Sequence, residues 1–273
     1  VSVSTGAGGA GNINFSNTLN GTQDLTLLAG TGNITFTGVV GGTTPLDDVT
    51  ITSAANVTAT TFSAATLTQS AGSGTTTLNG AVNTTAAGGV SLTGTNLAVN
   101  NTITTTGGGT VTVNESGTAT LVAAGDIMAD GAVSLTATGG ITTAGDITTT
   151  DDNVTYASAT TLSGPVSVST GAVGAGNINF SSTITGTQDL TLLAGTGNIT
   201  VTGDVGATRL GVLTITSGGV VAFQGAGTQQ AASLAVTTTT STTFTGNVNL
   251  TNGVSLAAGA GNGSFLNGLT AGA

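Results

Sequence analysis

Along this chain, apolar residues come in pairs with a single Ser or Thr between them, and the pairs return at intervals. Val1-Ser2-Val3, Leu25-Thr26-Leu27, Val49-Thr50-Ile51, Val90-Ser91-Leu92 and Val111-Thr112-Val113 begin the series. Val133-Ser134-Leu135, Val154-Thr155-Tyr156, Leu190-Thr191-Leu192, Leu213-Thr214-Ile215 and Val254-Ser255-Leu256 continue it. Period-two alternation rich in Val, Ile and Thr predicts short strands with one buried face. The commonest interval between triplets is about 20–24 residues, and further triplets such as Ile13-Asn14-Phe15, Ile34-Thr35-Phe36 and Ile178-Asn179-Phe180 read as lying midway. Gly, Asn, Asp and Ala fill the gaps and supply turns. No stretch carries a useful 3.6-residue apolar stripe, and Thr and Gly are poor helix interiors.

Short strands, Gly/Asn corners and one turn per roughly 22 residues predict an all-β fold, a right-handed parallel β-helix (β-solenoid) of about 20–24 residues per coil. Each strand then pairs with its equivalents one coil away, at about 4.8 Å. A coil buries only a few side chains, each contributing about 1.5–3 kcal/mol. Stacking is therefore what makes the fold stable. Asn12, Asn33, Asn177 and Asn198 recur in the same Gly-Asn-Ile context. They would either stack as an amide ladder at a corner or serve as residues tolerant of left-handed backbone.

A longer period encloses the short one. GTQDLTLLAGTGNIT occupies residues 21–35 and, letter for letter, residues 186–200. VSVSTGAGGAGNINFS at Val1 returns as VSVSTGAVGAGNINFS at Val166. The expected organisation is a single continuous solenoid segment, 1–273, holding one long repeat (1–165) and a partial second copy (166–273). It reads as a slice of a longer array, with Val1 and Ala273 towards opposite ends and with further repeats, or copies of itself, continuing it head to tail.

Composition narrows the function. Charged residues are 4% of the chain, with 11 acidic residues, Arg209 as the one basic residue and a net charge of −10. Nucleic acid is not an expected partner, because nothing is present to displace counterions from phosphate. Membrane insertion is not expected either, since no apolar run approaches about 20 residues. With no Cys, His or Lys, thiolate metal sites and Ser–His or Ser–Lys nucleophiles cannot be built. Mean hydropathy is positive, which separates the chain from disordered tails. No signal peptide is recognisable.

Several motifs look chemical and are read as structural. Gly6–Gly11 matches the letters of a dinucleotide loop, but no helix is expected after it, and the second copy has Val173 where the pattern needs Gly. Two carboxylates could cleave glycosides, and Asp47/Asp48 and Asp151/Asp152 are the adjacent pairs. Neighbours on a strand point apart, and Asp47/Asp48 follows Pro45 in what reads as a turn, so solvated corner acids are expected. Asp126–Gly131 and Thr149–Asn153 carry oxygen ligands suited to weak calcium binding. Asn-x-Ser/Thr sequons at Asn14, Asn20, Asn33, Asn56, Asn198 and Asn262 follow from composition. The Thr runs 102–106 and 237–244 suggest an ice-binding array, yet their spacing is irregular. No catalytic, cofactor-binding or metal-ligating residue is expected.

At GTQDLTLLAGTGNIT, VTITSAANVTATTF and GDITTTDDNVTYASATTLSG the chain resembles the β-strand-repeat regions of giant bacterial surface proteins of the filamentous-haemagglutinin and autotransporter kind. The resemblance covers essentially the whole chain. It implies secretion, an extracellular or cell-surface location, and a stalk, fibre or adhesive surface. The expected function is a structural, non-enzymatic segment of an extracellular filament. The alternative is an adhesin passenger that binds cell-surface glycans or receptors.

Overall fold

The computed structural model describes residues 1–272; Ala273, within the expected segment 1–273, lies outside them. The described elements are strands and no helix occurs among them. They group into two compact units, one of residues 1–132 with 136–139, the other of residues 133–135 with those from 140 onward. Each unit is a stack of parallel strands, a β-solenoid with about 21 residues per coil.

In the first unit a coil passes through three strand columns. The first column holds Ser2–Ser4, Leu25–Leu28, the latter parts of Leu46–Ser53 and Phe62–Gln69, then Val90–Gly94 and Val111–Glu115, all parallel. The second runs from Ile13–Phe15 through Ile34–Phe36, Val57–Ala59, Thr75–Leu78 and Asn96–Val99 to Thr118–Leu121. The third starts as single bridges, Leu19 to Val40 and Val40 to Phe62, and becomes Val82–Thr84, Ile103–Thr105 and Ile127–Ala129. Alternation does the sorting: in Leu25–Leu28, Leu25 and Leu27 are buried while Thr26 and Leu28 are half-buried.

The second unit repeats the scheme. Ile178–Phe180 lies midway between Val166–Ser169 and Leu190–Leu193, which pair, as Ile13–Phe15 lies midway between Ser2–Ser4 and Leu25–Leu28. It is the next rung after Val154–Tyr156, followed by Ile199–Val201 and Val221 to Phe223. Leu190–Leu193 belongs to another column, between Val166–Ser169 and the segment around Leu213.

The duplicated stretches fold alike within their own units. Thr26 pairs with Ser2 as Thr191 pairs with Ser167. Both copies also carry the same irregularity on the other side, between Leu27 and Leu28 and between Leu192 and Leu193. Gly30 and Gly195 explain one fixed letter: with φ of 61° and 58°, each turns a corner where a Cβ would lie 2.5–2.6 Å from a carbonyl oxygen of the neighbouring coil.

Aromatic rings stack with the coils. Phe15 lies 5.1 Å from Phe36, Tyr156 4.6 Å from Phe180, and Phe223, Phe244 and Phe265 form a run at 4.5 and 5.4 Å. Parallel pairing in register forces this, because equal side chains at equal positions must meet face to face. Phe180→Ala removes one ring from between two coils and leaves a cavity beside Tyr156. It is expected to cost about 3–5 kcal/mol, read as a lowered denaturant midpoint, while Phe180→Leu costs less.

Candidate functional site

The polar residues of the corners act chiefly on the adjacent coil. The Asn33 amide N–H donates to Asn12 Oδ1 (2.8 Å), Asn56 donates from backbone N and Nδ2 to Asn33 Oδ1 (3.1 and 2.9 Å), and Thr75 N donates to Asn56 Oδ1 (2.8 Å). In the second unit Asn177 N donates to Asn153 Oδ1 (2.7 Å), Asn198 N to Asn177 Oδ1 (2.8 Å) and Val220 N to Asn198 Oδ1 (2.9 Å). Of the two readings of these asparagines, the ladder holds. None has left-handed backbone: Asp151, with φ 66°, is the one non-glycine residue with positive φ among those described.

The acids do similar work. Ser167 N donates to Asp146 Oδ1 (2.7 Å), Val212 N to Asp189 Oδ1 (2.7 Å), Gly227 N to Asp204 Oδ1 (2.8 Å) and Gly108 N to Asp130 Oδ2 (2.8 Å). A carboxylate at these corners satisfies an amide that the strand ladder leaves unpaired. Asp47 and Asp48 are not in a turn. Both lie within strand Leu46–Ser53, exposed, and Asp48 Oδ1 accepts from Thr66 Oγ1 at 2.7 Å. Asp152 offers its main-chain carbonyl to Thr149 Oγ1 (2.5 Å), and Asp151 packs its Oδ1 against Gly171 and Gly174 of the adjacent coil. Among the described residues no three His, Cys, Asp or Glu converge on a point, Asp126 and Asp130 included.

Arg209 is also turned to holding coils together. Nη1 donates to the carbonyls of Ala231 (3.1 Å) and Asn249 (2.6 Å), and Nη2 to Gln230 Oε1 (3.1 Å). Gln229 replaces a missing rung: its Oε1 accepts from Val205 N (2.8 Å), while Nε2 donates to Gly225 O, Gly227 O and Asp204 Oδ1 at 3.1–3.3 Å.

The Gly6–Gly11 stretch closes a corner and leads into strand Ile13–Phe15. Thr5 Oγ1 donates to Gly11 O (2.8 Å), and its counterpart Thr170 donates to Gly176 O (2.7 Å). A phosphate cradle needs backbone N–H groups free and a helix behind them; here Gly6 N donates to Ser4 Oγ and Gly9 N to Gly6 O (both 3.1 Å), and a strand follows.

Glu115 departs from the pattern. It is the last inward residue of Val111–Glu115, 1% exposed, and neither carboxyl oxygen has a hydrogen-bond partner. Space for it comes from its strand partner Gly94, where a Cβ would lie 3.0 Å from Glu115 Oε2 and 3.3 Å from Gln69 Nε2. Gln69, also buried, accepts from Thr76 Oγ1 at 2.7 Å. Burial pushes the Glu115 carboxyl up to about 7. Tyr156, whose hydroxyl is likewise buried and unpartnered, is pushed upward by burial and by Asp146.

One surface feature went unread in the sequence. Ser2, Thr26, Thr50, Thr68, Ser91 and Thr112 are consecutive rungs of the first column, a row of six hydroxyl side chains on one face of the first unit. They include the central residues of five of the apolar triplets. Thr68, whose triplet ends in Gln69, was the missing member. The irregular spacing conceals the alignment because the steps range from 18 to 24 residues, the corners absorbing the difference. In the second unit the equivalent row runs through Ser167, Thr191 and Thr214 and breaks at Ala235.

Comparison with protein-family models, with curated proteins and with solved structures finds no match.

Two measurements test this account of the polar groups. Asn33→Ala removes an acceptor and strands the Asn56 amide. It should cost about 1–2 kcal/mol in chemical denaturation, against less than about 0.5 for the exposed Asn14→Ala. Glu115 supplies the pH dependence. Its carboxyl titrates near 4.5 when unfolded and about 7 when folded, so between these values the folded chain holds a proton that the unfolded chain has released. Its contribution to stability is therefore greatest below about 4.5, falls as pH rises to about 7, then levels off, a total of about 3 kcal/mol. Subtracting the pH–stability curve of Glu115→Gln from that of the unmodified chain isolates the slope.

Proposed function

We propose that the chain is a structural, non-enzymatic segment of an extracellular bacterial filament or surface fibre built from stacked β-solenoid repeats. One observation carries the reading: asparagine, aspartate, arginine and glutamine side chains direct their hydrogen bonds at the backbone or side chains of the adjacent coil. Groups that could do chemistry are dispersed along corners, where they hold coils in register. The resemblance to filamentous-haemagglutinin-type repeats supports the same reading through the motifs that carry it.

A second reading, an adhesin passenger binding cell-surface glycans, draws support from the hydroxyl row at Ser2, Thr26, Thr50, Thr68, Ser91 and Thr112. An uncharged row of donors and acceptors suits sugar hydroxyls better than charged ligands.

Antibodies to the purified chain, used for immunogold labelling of cells that produce it, should decorate filaments outside the cell. Label confined to the cytoplasm, or reducing ends released from polysaccharide by the purified chain, refutes the structural reading. Retention on a glycan array that is lost in Thr50→Glu/Thr68→Glu would shift the assignment to the adhesin.

A further inference from the structure

The second column of the first unit carries a regular face that strand pairing assembles from distant parts of the chain. Six five-residue stretches stack there in register: NINFS (12–16), NITFT (33–37), NVTAT (56–60), TTTLN (75–79), NLAVN (96–100) and TATLV (118–122). In each, the second and fourth residues point inward, all of them buried except the half-buried Phe15. The first, third and fifth point outward, and none of these is buried. The outward positions form three rows. Of the 18, three in each of six stretches, 16 are Asn, Thr or Ser, and Ala98 and Val122 are the others. No charged or aromatic side chain points outward in these rows, whereas the first column carries the exposed Asp47 and Asp48. The irregular Thr runs 102–106 and 237–244 lie outside this face.

Bonds from coil to coil hold the two flanking rows in place. Asn56 Nδ2 donates to Asn33 Oδ1 and Asn100 Nδ2 to Asn79 Oδ1 (both 2.9 Å), and Thr118 Oγ1 donates to Asn96 Oδ1 (3.1 Å). Thr60 Oγ1 donates to Gly38 O (2.9 Å). In the central row the hydroxyls of Thr35, Thr58, Thr77 and Thr120 make no hydrogen bond among the described residues and are left to solvent. Thr is stiff at χ1, so these hydroxyls keep a fixed grid, about 4.8 Å from coil to coil and about 6.6 Å from row to row. The step between coils is close to an oxygen repeat of hexagonal ice. Hydroxyls on such a grid, with methyl groups between them, order the water that covers them. A charge would hold a hydration shell of its own, and none is present. Sugar sites are concave and offer aromatic platforms; here no side chain larger than asparagine projects and no ring is exposed. We propose that this face, about 24 Å long over its five steps, binds ice through the water it orders. Such binding goes beyond the fibre reading and does not depend on it.

Ice-affinity partitioning tests this. A cooled probe grows an ice shell in a dilute solution of the chain and a co-dissolved inert protein, and both are assayed in ice and in liquid. The unmodified chain should be enriched in the ice over the inert protein. Thr58→Tyr breaks the grid at its centre and should lose that enrichment; Thr77→Tyr is the alternate should Thr58→Tyr fail to give the β-rich circular dichroism of the unmodified chain. Thr112→Tyr, on the hydroxyl row of the first column, should partition as the unmodified chain does. Exclusion of the unmodified chain from ice overturns the proposal. Full enrichment of the folded Thr58→Tyr or Thr77→Tyr chain, or loss in Thr112→Tyr, overturns the assignment to this face. Retention of the chain on crystalline cellulose or chitin, with exclusion from ice, would give the face to a polysaccharide instead.

Discussion

A hydrogen bond that reaches one coil along the chain, to a partner 18–24 residues away, is the constraint on which this structure depends. Backbone groups make it within the strand columns. At the corners, where strands stop and amides would be orphaned, Asn33, Asn56, Asp146 and Asp189 make it with side chains. Neutral amides and anionic carboxylates fulfil one role, which accounts for a chain whose acids neither cluster nor need basic partners. Burial of Val, Leu, Ile and Phe supplies the driving force, but register decides which side chains are buried together.

Much of this was legible in residue order. The triplets located the strands because alternation is a direct consequence of one-sided burial, and Asn12, Asn33, Asn177 and Asn198 announced their ladder by recurring in one context. Some of it was hidden. Variable corners make distance along the chain a poor guide to distance between coils, so Thr68 was not joined to its row. The Asp47/Asp48 pair was misplaced for another reason: Pro45 signals a turn, but the strand starts at Leu46, immediately after it. Glu115 gave no warning, since Val-Thr-Val-Asn-Glu continues a strand alternation whose last inward residue happens to be acidic.

Glu115 also shows what the fold tolerates. A buried, unpartnered carboxyl costs stability, yet the damage is confined because Gly94 gives it room and the adjoining columns remain paired. Stability in such a stack is a sum of neighbour terms. One poor rung lowers the sum without dissolving the rest.

The duplicated stretch works as a mutagenesis experiment already carried out. Between residues 1–16 and 166–181 one letter differs, Gly8 against Val173. At Gly8 an added Cβ would meet nothing within 4 Å, and Val173 is 86% exposed. The other fifteen letters include the strand residues, the latch threonine and the corner asparagine. In these sixteen residues the one change falls where a side chain touches only solvent. Immediately beyond the second identical stretch, buried Phe36 is answered by buried Val201, a change of one apolar residue for another. Divergence between the copies thus separates positions that need only be apolar from positions that need nothing.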